Sequence, residues 1–157
     1  MVEIEGLGPL VATHPFFTGM DPSALEIIVG CCANAVFKTG AHLYRQGEPA
    51  DKFYLIRDGL VTLEVYVGGR PAIAIETVEA GEIVGWSWLV SPYKWSNDAR
   101  ASGTVRAISI DGACLRRKME ADRVLGYEIY KRFLPVMARR LLNNRERIVE
   151  LATEPAT

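Results

Sequence analysis

Long apolar runs are missing from this 157-residue chain. None approaches the roughly 18 residues of a spanning helix, so no membrane span is expected. An excess of one charge is missing too. The net charge is −1 and the pI is near 6.1. A dedicated nucleic-acid binder is usually clearly basic, so that class is disfavoured. Histidine is scarce: only His14 and His42 are present, too few for a His-rich metal site, and no Cys/His cluster replaces them. The three cysteines, Cys31, Cys32 and Cys114, have no CxxC spacing and an odd count. A reduced cytoplasmic protein with buried thiols fits best. The first residues, Met1 to Glu5, are acidic, and no secretory signal is expected from them. No nucleophile has an evident base beside it, so no enzyme chemistry is expected. Glu26, Glu48 and Asp51 are better explained as surface acids and turn residues. What is there is 49% apolar and 24% charged, the composition of a globular chain. The length suits one domain with a real core.

Three zones differ in pattern. Residues 1–35 are expected to be helical. Asp21-Pro22 has the form of an N-cap followed by proline at the first helical position. Leu25, Ile28, Val29 and Cys32 then recur at helical spacing. Residues 36–110 are strand-like: short runs rich in Val, Ile, Tyr and Phe, punctuated by Gly40, Gly47, Gly59, Gly68-Gly69, Gly81 and Gly85. Gly68-Gly69 predicts a tight hairpin. Many short strands with regular turns imply an antiparallel barrel or jelly roll. Residues 111–151 are helical again. Asp111 is placed to cap a short helix over Ala113 to Met119, and a longer helix follows Asp122. Pro135 should kink or divide that helix. Residues 152–157 form a short tail. The whole chain, 1–157, is read as one domain of α+β class, an antiparallel β jelly roll with helices at both ends.

Particular residues carry a family resemblance. They are Gly40, Tyr44-Arg45-Gln46-Gly47-Glu48, Asp51, Phe53-Tyr54-Leu55-Ile56, Asp58-Gly59 and Val61, then Gly81-Glu82, Gly85 and a strand ending at Asp111. In this order they resemble the cyclic-nucleotide-binding domain of the catabolite activator and protein kinase A regulatory subunit superfamily, over about His14 to Leu151. The resemblance implies a phosphate-binding cassette from Ala80 to Ser96. In the family, a short helix there offers backbone N–H groups to the cyclic phosphate. A glutamate after the second cassette glycine holds the ribose, and an arginine further on pairs with the phosphate. Without a gap, Trp86 stands at the glutamate position and Trp95 at the arginine position.

The candidate pocket is therefore Gly85, Trp86, Ser87, Trp88, Leu89, Trp95, Ser96 and Asn97, with Tyr93 joining the aromatic cluster. Three readings stay open: indoles that fill the vacated space, an altered ligand stacked on them, or a cyclic nucleotide held by new contacts. Lys94 or Arg100 would be the substitute charge. No obligatory cofactor or metal is expected. On the last helix, Leu134, Met137, Leu141, Asn144, Ile148 and Leu151 follow a 3,4 alternation. That spacing is a coiled-coil seam, with Asn144 as polar insert, and implies a homodimer. Arg139, Arg140, Arg145 and Arg147 are expected on a solvated face, near Glu146 and Glu150. The family's transcription factors carry a helix-turn-helix domain after this point. Only six residues follow Leu151 here, so sequence-specific DNA binding is not expected and the output should act on a partner protein. The expectation is a stand-alone, non-catalytic, cytoplasmic regulatory module.

Overall fold

The computed structural model describes residues 2–154, with side chains from Gly6 onward. Helix α1 (Val2–Thr13) leads through a 3-10 turn at Pro15–Phe17 into α2 (Pro22–Val29). Strands β1 (Cys32–Phe37), β2 (His42–Tyr44), β3 (Lys52–Val65), β4 (Ile73–Glu79), β5 (Ile83–Val84) and β6 (Asp98–Asp111) follow. A 3-10 turn at Ser87–Leu89 interrupts the last two, and α3 (Gly112–Ala121) and α4 (Arg123–Thr153) end the described chain.

All strand pairs are antiparallel, in the order β1-β6-β3-β4, with β2 on β6 and β5 on β3. The long pair β3–β6 is the spine of the roll. It explains the continuous apolar run Phe53 to Ile56. Side chains alternate across a strand. Phe53 and Leu55 enter a core shared with the helices, alongside Phe17, Trp88, Leu115 and Phe133. Tyr54 and Ile56 enter a second core inside the roll, with Leu43, Leu63, Trp95 and Val105. The strand is buried on both faces, so it shows no polar alternation there. Beyond Ile56 it bends through register shifts around Asp58. Gly59 lies in that bend with φ +93°, and a Cβ there would lie 2.3 Å from the Thr104 carbonyl oxygen. Only glycine fits.

Several expectations change. The helical spacing through Cys32 stops earlier, because the chain turns at Gly30 and Cys32 opens β1. Asp21 precedes Pro22 as expected, yet its carboxylate accepts from the Ser23 hydroxyl and makes no cap to the helix backbone. The Gly68-Gly69 turn joins β3 to β4, but across residues 66–72, which is longer than a tight hairpin. Asp111 caps α3 by accepting from the Cys114 N–H at 2.9 Å, as the sequence implies. Helix α4 runs unbroken through Pro135. Proline there removes one backbone bond, and buried anchors on both sides, Phe133 and Arg140, hold the helix together. The expected tail is helical to Thr153, and residues 155–157 lie outside the described residues. The cysteines are not all free: Cys31 and Cys114 are joined, tying α3 to the turn before β1. The odd count hid this pair, because the partners are 83 residues apart and meet only in the fold.

Candidate functional site

The cassette turns at Gly85, where φ is +100°. A Cβ on Gly85 would lie 2.9 Å from the Trp95 ring, so the indole rests directly on this backbone. Trp95 is 5% exposed and stacks on Tyr44, with ring centroids 3.7 Å apart and planes 12° from parallel. Its backbone is fixed on both sides. The Gly47 N–H donates to the Trp95 carbonyl at 2.8 Å, and the Trp95 N–H donates to the Glu48 carbonyl at 3.0 Å. Burial pushes the Tyr44 phenol up to about 12, so it stays a neutral hydroxyl.

Successive side chains of the 3-10 turn diverge by roughly 120°. Ser87 faces a cavity. Trp88 instead points into the helical core, stacked on Phe53 at 4.7 Å and edge-on to Phe133 at 5.5 Å. Leu89 packs on the same core and borders a surface groove with Val90 and Met137. Tyr93 is on the surface under the Arg116 guanidinium, 4.2 Å from its ring centre. The expected four-ring cluster is therefore divided. The turn sends Trp88 and Leu89 to the helical core, Tyr93 lies beyond it on the surface, and Gly85 and Trp95 sit in the roll's core outside the cavity lining.

The cavity itself has a volume of about 140 Å³. Trp86, Ser87, Ser96 and Asn97 line it, as the sequence reading expected of them. Tyr44, Leu63, Val65, Ile75 and Glu76 complete the roll's side. The remaining wall is α4, through Arg140 and Asn144. These two correct the sequence reading. Arg140 is 5% exposed and lies on the inward face of the helix. It donates to the Ile83 carbonyl, and its Nε lies 3.7 Å from a Glu76 carboxylate oxygen. That contact is an ion pair without a hydrogen bond, and Nε has no hydrogen-bond partner among the described residues. Burial pulls the guanidinium below its ordinary range, and Tyr44 and Glu76 oppose that shift. Asn144 faces the cavity, and its buried Oδ1 also lacks a partner.

Other contacts fasten α4 over the roll. Arg139 pairs with Glu82 at 2.6 Å, Asn143 donates to Glu76 at 2.7 Å, and Arg147 donates to the Ala74 carbonyl at 3.0 Å. Phe133, Val136, Arg140, Asn144 and Arg147 thus form an inward face at helical spacing. The sequence carries this signal as a second stripe beside the seam. The seam is the more apolar of the two stripes. Arg100 does not reach the pocket. It points outward from β6 and grips Glu64 through two bonds of 2.7 and 3.1 Å. Lys94 is exposed.

This cassette-and-roll geometry agrees with the comparisons. The sequence profile of the cyclic nucleotide-binding domain matches residues 35–122. The chain belongs to the cyclic nucleotide-binding domain family. A CRP-like cAMP-activated global transcriptional regulator of Mycobacterium tuberculosis is 27% identical over 142 residues, 90% of this chain and 62% of the regulator. Cyclic nucleotide-gated ion channel 18 of Arabidopsis thaliana is 28% identical over 104 residues, 64% of this chain and 15% of the channel. The chain spans less than two thirds of the length of either relative. A solved cyclic nucleotide-binding protein from Geobacter metallireducens superposes with a TM-score of 0.75 at 28% identity. That alignment covers 90% of this chain and 99% of the other. Jelly roll and flanking helices are thus those of a cyclic nucleotide-binding regulatory module. No helix among the described residues is long and apolar enough to cross a membrane.

Proposed function

We propose that this cyclic nucleotide-binding domain is a non-catalytic regulatory module with an altered ligand site, acting through a protein partner. One observation carries the reading: Trp95 lies on Gly85, stacked on Tyr44 and pinned to the Gly47-Glu48 turn. The resemblance puts a phosphate-pairing arginine at that position and a ribose-binding glutamate at Trp86. A buried phosphate without its cationic partner typically loses several kcal/mol, about 2–5. Helix α4 forms one wall of the cavity, so a ligand there bears directly on the helix that carries the candidate dimer seam. Such a ligand shifts the helix only if it binds two arrangements with different affinity. The near-neutral net charge favours a protein partner over nucleic acid.

Calorimetry with cyclic AMP and cyclic GMP tests this. The expected result is no saturable heat at micromolar ligand with either nucleotide. Micromolar or tighter binding would sink the altered-site reading and make the domain a second-messenger receptor with new contacts.

A further inference from the structure

We propose that the Cys31–Cys114 bond is a reversible redox switch that sets how tightly α3 grips the cassette at Trp88 and Tyr93. The bond joins the turn between α2 and β1 to the first turn of α3. That first turn also touches the cassette. The Gly112 N–H donates to the Asp51 carbonyl at 2.7 Å, and a Cβ on Gly112 would lie 2.9 Å from the Trp88 Cβ. Two residues past Cys114, Arg116 donates to the Trp88 carbonyl and covers the Tyr93 ring, 4.2 Å from its centre. Opening the bond therefore frees the stretch of α3 that holds both ends of the segment from Trp88 to Tyr93.

The surroundings of the two sulfurs suit exchange. Cys114 is half-buried whereas Cys31 is 8% exposed, so Cys114 is the side open to a small thiol. A cation lies beside the other side. Lys118 Nζ donates to the Ile27 carbonyl at 3.1 Å and would lie 3.0 Å from a Cβ on Gly30, the residue before Cys31. Such a cation favours Cys31 as a thiolate leaving group. Cys32 does not compete, because its thiol donates to the Ile28 carbonyl and burial holds it protonated. The fold also has ties that outlast the bond: Leu115 is fully buried, Asp111 caps α3, and Lys118 keeps its hold on Ile27. Two molecules of a small thiol such as glutathione balance the reaction. The first thiolate attacks the Cys114 sulfur, forming a mixed disulfide, and Cys31 leaves and takes up a proton. The second attacks the glutathione sulfur of that mixed disulfide. Cys114 leaves and is protonated, and glutathione disulfide carries off the two electrons' worth of oxidation. Glutathione disulfide drives the reverse.

Hydrogen exchange on the full chain tests this, in reducing and in oxidising glutathione buffer, with thiols counted by alkylation after unfolding. The expected count is one free thiol when oxidised and all three cysteines when reduced. Reduction should speed exchange about tenfold in α3 and from Ser87 to Tyr93, leave β3 unchanged, and be undone by reoxidation. Cys114→Ser should show the fast pattern in both buffers. Three free thiols in oxidising buffer overturn the proposal. So does faster exchange confined to α3, which makes the bond a local staple. Faster exchange through β3 as well overturns it too, since the whole fold then needs the bond.

Discussion

His14 shows how one side chain can make the stability of this domain depend on pH. It is buried, its Nδ1 accepts the Phe16 N–H at 3.2 Å, and its Nε2 lies 3.1 Å from the Ile56 carbonyl. That arrangement requires a neutral ring with the proton on Nε2. Burial is the larger influence and lowers the imidazole pKa from its ordinary 6.5, while the bond to Ile56 opposes it. The folded pKa lies below the unfolded one, so the unfolded chain takes up the proton first. Stability from this site is full above the unfolded value and falls as pH drops through it. Glu64, held low chiefly by the Arg100 hydrogen bond, has the same sense but acts only nearer its ordinary 4.5. Urea midpoints should therefore fall between about pH 7.5 and 5.5, and His14→Gln should flatten that slope. An unchanged slope in the variant would assign the titration elsewhere.

Among the elements, α3 is fixed at its first turn. Its first turn is capped by Asp111, and Cys114 ties it to Cys31. Closing a loop of this length restrains the unfolded chain, an effect of about 2–5 kcal/mol. Cys31→Ser should lower the denaturation free energy by that amount, and reductant should do the same to the unmodified protein. Equal stability with and without reductant would contradict the tie. Cys32 should stay out of this chemistry. Burial pushes its thiol up to about 12, so it carries almost no thiolate at neutral pH.

The whole molecule turns on the two faces of α4. The inward face closes the cavity. On the outward face Leu134, Leu141 and Ile148 are 68%, 71% and 67% exposed, spaced seven residues apart. Large apolar side chains in such a row suit a second helix. Sedimentation of the unmodified chain at micromolar concentration should give a dimer, and Leu141→Glu should give a monomer with unchanged fold. A monomeric unmodified protein would remove the seam from the account. Asn144 belongs to the cavity side of the helix, about one turn from the exposed Leu141 and Ile148.

Local pattern in the sequence was enough for much of this. Glycines at positive φ, strands of short apolar runs, the Asp111 cap and the order of the cassette are properties of neighbouring residues, and neighbouring residues reveal them. The exposed apolar row Leu134, Leu141 and Ile148 was legible for the same reason, since its period repeats along one segment. Tertiary structure decided the rest, because those features join residues far apart in the chain. Cys31 meets Cys114, Trp95 meets Tyr44, and Arg140 meets Glu76 and Ile83 only when the roll closes and α4 lies across it. Periodicity could name a stripe on α4, but not which of two stripes faces inward. That choice belongs to the packing, where a buried guanidinium needs its carboxylate and carbonyl and exposed leucines do not.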